Sequence, residues 1–236
     1  MINKQLVKTR FQKHLETYSK NSIVQKEMAN KLINLLPVKN FQSVLELGCG
    51  SGILTQKLTD KITFENYTAV DIVENCKEYI SKINTNIKFI QSDIENIDFE
   101  RKYDLIISNA TLQWIDNIED FINKLKNHLT PNGVLIFSTF SINNFKEISA
   151  ITNVGLKYYS ETEIKKMLSP KYIEENTIEI EFSSPIDVLR HLKLTGVNSI
   201  TPQHWTKSDL RNFENKYIQL CPNKIKLTYN PMYIIL

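Results

Sequence analysis

Glycines 48, 50 and 52 stand between an apolar run, Ser43-Val44-Leu45-Glu46-Leu47, and Ile53, which opens an amphipathic stretch. A strand that runs into such a turn and then into a helix lets a ligand approach the main chain closely, because glycine carries no Cβ to hold it off. The helix after the turn offers unpaired N–H groups to a carboxylate or to hydroxyls. Two common uses of glycine-rich turns do not match. The dinucleotide spacing G-x-G-x-x-G fails because the third glycine comes one residue early and Ile53 takes its place. A phosphate-binding P-loop fails because no Gly-Lys-Ser/Thr follows. Taken alone, the turn is either a ligand cradle or a purely structural bend.

Three further positions narrow the choice. Asp71 ends the run Thr68-Ala69-Val70-Asp71, where a carboxylate can accept both hydroxyls of a ribose. Asp93, followed by Ile94, comes just after a third apolar run, and Ser108-Asn109-Ala110 ends a fourth, with Leu112-Gln113-Trp114 just beyond. Glu46 with the glycines resembles the E/DxGxGxG motif of the class I methyltransferases, and the later positions resemble that family's motifs in the same order. The resemblance implies S-adenosyl-L-methionine as cofactor. It places Glu46 close to the methionine part and makes Gly48, Cys49, Gly50, Gly52 and Ile72 cofactor-binding residues. Asp71 falls at the ribose, Asp93 and Ile94 at the adenine, and Asn109 and Ala110 beside the methionine and the reacting methyl. Trp114 is either part of that wall or a core aromatic.

A narrower resemblance is carried by Ser184-Pro185, Leu189-Arg190-His191-Leu192-Lys193 and Thr195-Gly196-Val197-Asn198, together with Arg10-Phe11, Tyr18 and Val24-Gln25 near the start. This pattern is similar to that of the malonyl-[acyl-carrier-protein] O-methyltransferases of biotin synthesis; one departure is His14, where the family more often has alanine. The implied reaction methylates the free carboxyl of a malonyl group on a phosphopantetheine arm. That carboxyl is ionised near pH 7, so no general base is needed and catalysis rests on positioning. A carboxylate suits a two-oxygen arginine clamp. Arg190 and His191 are therefore the expected catalytic residues, with Lys193, Gln113 and Trp114 beside the substrate; on composition alone, Arg190, His191 and Lys193 are equally the wet side of a lid helix. Tyr18 is expected to close over the cofactor.

These residues need elements to hold them. Near-continuous apolar strands at 43–47, 67–70, 87–91, 103–108 and 134–139 alternate with amphipathic stretches at 53–61, 75–83 and 118–129. That order predicts an α/β fold, a doubly wound, mostly parallel, Rossmann-like sheet. A helical segment over 9–36, stopped by Pro37, precedes it. After Phe140 the spacing predicts a helix at 161–168, a strand at 172–182, and a last strand at 226–236 that Pro231 demotes to an edge or bulge. The chain then divides into a helical cap (1–40), a cofactor core (41–182), a lid insertion (183–225) with a helix between Pro185 and Gly196, and the last strand (226–236) of one domain.

With 236 residues, 42% hydrophobic and 23% charged, the chain has the composition of a globular protein. A net charge of +3 is too weak to indicate nucleic acid, and no run is apolar enough to span a membrane. Three scattered cysteines lack metal-ligand spacing and fit a reducing, cytoplasmic setting. Residues 183–226 hold seven basic against three acidic side chains, a net +4, which suits an acidic carrier protein. Malonyl-coenzyme A is the alternative carrier. The rival readings are a methyltransferase acting on another carboxylic acid or a carbon nucleophile, a non-catalytic S-adenosylmethionine-binding protein, and a nicotinamide-dependent oxidoreductase, which the glycine spacing disfavours.

Overall fold

The computed structural model describes residues 2–99, 101–153, 155–196 and 205–236, so the Val197-Asn198-Ser199 end of the lid motif lies outside the described residues. Nine strands are formed among them: β1 (Asn40–Leu47), β2 (Thr63–Asp71), β3 (Lys88–Gln91), β4 (Tyr103–Asn109), β5 (Leu129–Phe140), β6 (Tyr172–Glu175), β7 (Ile178–Glu181), β8 (Lys226–Tyr229) and β9 (Pro231–Ile235). Seven make one sheet in the order β3-β2-β1-β4-β5-β9-β6, with β1 to β5 parallel and β9 antiparallel to both neighbours. The reversal between β1 and β4 leaves a crevice at their carboxyl ends, the usual ligand position in a doubly wound sheet.

The apolar runs have a direct physical cause. Successive strand residues point to opposite faces, and both faces are covered. Val44, Tyr67, Leu105, Ile107 and Ile136 pack into one core, while Leu45, Val70, Ile106, Leu135 and Phe137 pack into the other. The first core is covered by α1 (Lys4–Asn21), α2 (Ile23–Asn34), α3 (Ile53–Thr59), α4 (Cys76–Ile83), α8 (Pro185–Leu194) and α9 (Lys207–Leu220), through residues such as Leu15, Met28, Leu58, Ile80, Val188 and Tyr217. The second is covered by α5 (Ile118–Asn127) and α7 (Glu161–Leu168). A short α6 (Lys146–Thr152) follows β5. No helix among the described residues is long and apolar enough to cross a membrane.

The first helix, β1 and β2 begin earlier than expected, at Lys4, Asn40 and Thr63, and four further differences have physical causes. The segment 9–36 is two helices, broken at Ser22, whose N–H still bonds Tyr18 O at 2.9 Å while its φ/ψ of −85°/55° leaves the helix. Asn and Ser compete for backbone groups and favour such junctions. Strand β5 begins at Leu129 rather than Val134, because Leu129 pairs with Tyr103 before an irregularity that absorbs Pro131. The strand expected at 172–182 is two strands in different sheets: β6 is the edge of the main sheet, and β7 pairs with β8 alone. The last strand is likewise split at Asn230, and β9 lies inside the sheet rather than at an edge. Pro231 is tolerated there because it is the first residue of the strand, opposite Phe140, where the ladder ends.

The split is held by a polar knot. Asn230 is fully buried; its amide donates to Glu175 Oε1 at 3.1 Å and Asn176 O at 2.7 Å, and its Oδ1 accepts from Asn143 N at 3.1 Å. Its backbone N–H donates to Asn144 Oδ1 at 3.1 Å. Replacing Asn230 by Ala leaves three partners of the side chain unsatisfied, and chemical denaturation should show a loss of about 2–4 kcal/mol.

Candidate functional site

The ends of β1, β2, β3 and β4 converge on a cavity of about 980 Å³ including its open mouth. At the β1 end, Gly48 N and Cys49 N both donate to Val70 O, at 2.8 and 3.1 Å, so the glycine turn is stitched to β2. Gly48 has φ +73°, and a Cβ there would lie 2.2 Å from Thr111 Oγ1, so only glycine fits. Gly50 has φ +52° and faces open space, with nothing within 4 Å of where a Cβ would stand. Both Gly48 and Gly50 line the cavity, as does Cys49. Gly52 lies behind them as the N-cap of α3, outside the lining.

Asp71 at the end of β2 is held by two backbone donors. Gly50 N gives to Oδ2 at 2.8 Å and Val73 N gives to Oδ1 at 2.9 Å, so the carboxylate fixes the turn beside the cavity it lines. Asp93 and Ile94 line the same cavity from the β3 end, with Asp93 Oδ1 accepting from Glu95 N at 3.1 Å. From the β4 end, Asn109 donates through Nδ2 to Gln25 O at 3.0 Å and accepts from Ser138 Oγ at 2.7 Å, which ties β4 to α2 and β5. Ala110 comes next in the left-handed region, with φ +51°.

Tyr18 and Trp114 close one wall. Trp114 is buried and meets Phe11 edge-on at 6.0 Å between centroids, so it is both a core aromatic and a cavity wall. The Tyr18 hydroxyl is pushed up by burial and by the Asp71 charge, and stays an O–H donor. Phe11, Tyr18, Gln25, Ala110 and Trp114 also line a second, smaller chamber, to which Gln113, Tyr158 and Thr195 contribute. Gln113 is anchored by its Nε2 on Ala110 O at 2.6 Å.

The lid residues lie elsewhere. Helix α8 turns Val188 and Leu192 into the core, so Arg190 and Lys193 emerge on its outer side. Arg190 is 63% exposed and pairs with Asp187 one turn back. His191 is half-buried, with Nε2 2.7 Å from Tyr229 Oη and its ring against Phe182; burial pushes its pKa down, toward the neutral form. None of the three lines either chamber. The spacing of charges in the lid could not reveal this, because the helix phase is set by its apolar stripe. Conversely Gln25, Ser51 and Thr111 line the cavity unforeseen as site residues.

These residues fit S-adenosylmethionine. Gln25 Oε1 and Ser51 Oγ are buried polar atoms of the lining without a partner among the described residues, Gly50 leaves its main chain open, and Ile72 and Ile94 offer apolar faces beside Asp71 and Asp93. Residues 21–171 match the family model described as a methyltransferase domain. A malonyl-[acyl-carrier protein] O-methyltransferase from Chlorobium luteolum is 36% identical, covering 100% of this chain and 96% of that protein. One from Calditerrivibrio nitroreducens is 40% identical, covering 97% and 94%. The chain belongs to this methyltransferase family. The fold is similar to that of the N-methyltransferase NodS from Bradyrhizobium japonicum, solved with S-adenosyl-L-homocysteine, with a TM-score of 0.53 at 14% identity over 93% of this chain and 96% of that one. The enzyme is a methyltransferase, and its cofactor is S-adenosylmethionine.

In this methyltransferase Glu46 sits under the cradle rather than in its lining. It is buried, and Oε2 accepts from Thr55 Oγ1 at 2.7 Å and Tyr67 Oη at 2.5 Å, while Oε1 has no partner among the described residues. Burial pushes its pKa up to about 7, beyond what the Tyr67 and Thr55 hydrogen bonds pull back. The unfolded chain ionises this group near ~4.3. The folded protein therefore holds a proton there that the unfolded chain has lost, and stability falls as pH rises through that window. Denaturation of the cofactor-free protein between pH 5 and pH 8 should show Glu46→Gln gaining on the natural protein by about 2 kcal/mol, with most of the divergence below pH 7.

Proposed function

We propose that this methyltransferase esterifies the free carboxylate of a malonyl group carried on acyl-carrier protein, giving the malonyl methyl ester that the family resemblance connects with biotin synthesis. The observation that supports it is the extent of the likeness. Relatives named for this activity match 97–100% of the chain, through the lid insertion that distinguishes one small-molecule methyltransferase from another.

The chemistry asks little of acid–base groups. S-adenosylmethionine supplies, when bound, a methyl group on a positively charged sulfur. The ionised carboxylate is the nucleophile: its oxygen forms the new C–O bond as the methyl–sulfur bond breaks, and one negative and one positive charge are consumed together. The chain's part is to align and to exclude water. The backbone of the glycine turn, Asp71 and Asp93 hold the cofactor side, and Phe11 and Trp114 form the apolar wall shared with the second chamber.

The carrier side is read from charge. Lys224 of the lid and Lys226 at the start of β8 are paired with Glu181 and Glu179, which spends part of the local excess. Burial, together with the nearby charges of Lys13, Lys193 and Arg10, lowers the pKa of His14, so α1 and α8 bring three cations to one neighbourhood. This outer face of α1 and α8 is the docking face for an acidic carrier.

Mass spectrometry of malonyl-carrier protein incubated with cofactor should find one added methyl on the malonyl group. Raising the salt to about 0.3 M, which shortens the Debye length well below ~10 Å, should lower kcat/KM several-fold for the carrier protein and leave malonyl-coenzyme A less affected. Methylation of free short-chain acids with none on the malonyl thioester would favour a different acceptor.

A further inference from the structure

The second chamber adjoins the cofactor cavity and is bounded by Phe11, Trp114, Phe140 and Phe145. Its polar lining is made of tyrosine, amide and hydroxyl groups; among the described residues that line it there is no lysine, arginine or histidine. That composition is unexpected for a place meant to receive an anion.

The orientation of its donors is defined. Asn144 is buried, and its Oδ1 accepts from the Asn230 N–H at 3.1 Å, so its amide nitrogen faces the other way and donates to Tyr158 Oη at 2.9 Å. The Tyr158 oxygen is thus an acceptor toward Asn144, and its own proton has no acceptor among the described residues. Tyr18, across the chamber, likewise has a hydroxyl bonded to no described residue, and it lines both the chamber and the cofactor cavity. Burial holds both phenols in the protonated form, Tyr158 up to about 12. Behind them Tyr229 is engaged with His191, which gives the lid histidine a supporting place in the packing.

We propose that the second chamber is the acceptor subsite, in which the uncharged hydroxyls of Tyr158 and Tyr18 donate to the substrate carboxylate and Arg190 takes no part in gripping it. The proposal rests on the malonyl reading above and names how that substrate is held. A carboxylate bonded by neutral donors keeps its full charge for attack, and its positive partner is then the methyl donor itself. Binding of acceptor and donor become coupled through that charge. Gln113 Oε1, an amide oxygen of this chamber without a partner among the described residues, is an acceptor and suits an N–H group of the carrier's arm instead.

The grip on the carboxylate can be separated from carrier docking by comparing malonyl-carrier protein with acetyl-carrier protein, which lacks only that group. In the presence of the S-adenosylmethionine analogue sinefungin, the natural enzyme should bind the malonyl form more tightly by calorimetry. Tyr158→Phe should shrink that preference roughly 10-fold or more, as expected for losing a hydrogen bond to a charged group. It should leave S-adenosylhomocysteine affinity within about twofold, which also reports that the variant is folded. Arg190→Ala should keep the preference. Loss of the preference in Arg190→Ala, or its retention in Tyr158→Phe, would overturn the proposal. A natural enzyme that shows no preference and methylates neither carrier would instead remove the malonyl reading on which it rests.

Discussion

Two hydrogen bonds to one carboxylate hold the cofactor end of this protein together. Asp71 takes the N–H of Gly50 on one oxygen and that of Val73 on the other, so the turn after β1 and the turn after β2 share a single anchor. A turn with glycines in the left-handed region has many conformations to lose, and its backbone donors need partners in the folded state. Asp71 supplies one partner, and Val70 O supplies two more bonds, to Gly48 and Cys49. Backbone left open at Gly50 can then face a ligand without the turn having to collapse onto itself. The cost is a carboxylate in a desolvated place, whose pKa burial raises against the pull of those N–H groups.

Beneath the same turn Glu46 shows the other way of managing a buried acid. Its close partners are two hydroxyls, with no cation paired to it among the described residues, and its pKa rises far enough for protonation near neutral pH. Two acids on neighbouring strands thus differ by their donors. Asp71 is bonded by main-chain N–H groups fixed by the fold, and Glu46 chiefly by side-chain hydroxyls on α3 and β2. The first arrangement favours a charged group beside the ligand, and the second a group close to neutrality under it.

The alternation of strands and helices was legible because each parallel strand is buried on both faces and leaves an unbroken apolar run. The positions at strand ends were legible for the same reason: Gly48, Asp71, Asp93 and Asn109 each come just after such a run or at its end, and all four line one cavity. The chain beyond Phe140 was less legible. There the strands are four or five residues long, and β7 leaves the main sheet for β8, a change decided by the distant polar knot around Asn230 rather than by local pattern. The direction of the lid charges was illegible for a related reason. Arg190, His191 and Lys193 lie close together in sequence, but a helix sends neighbours about 100° apart, and Val188 and Leu192 fix which side faces inward. Tyr158 and Asn144 carried no local signal, since the orientation of Asn144 depends on β5 and β9 lying side by side.

Helix α1 unites the two demands that the proposed reaction makes on charge. Phe11, Leu15 and Tyr18, spaced four and three residues apart, lie on one side and line the cofactor cavity. Arg10 and Lys13 belong to the other side, near His14 and Lys193. Long-range attraction for an acidic partner works best at the surface, where it steers an encounter without having to desolvate a salt bridge. Close to the reacting atoms the same cations would be costly, because each would have to be stripped of water and would stabilise the carboxylate that must attack. One amphipathic helix therefore keeps Arg10 and Lys13 on its outer face and the Tyr18 hydroxyl on its inner one, where the ammonium of Lys4 is paired with Glu95. On the reading proposed here, the carrier meets charge first, and its malonyl group then enters a chamber whose own lining is uncharged.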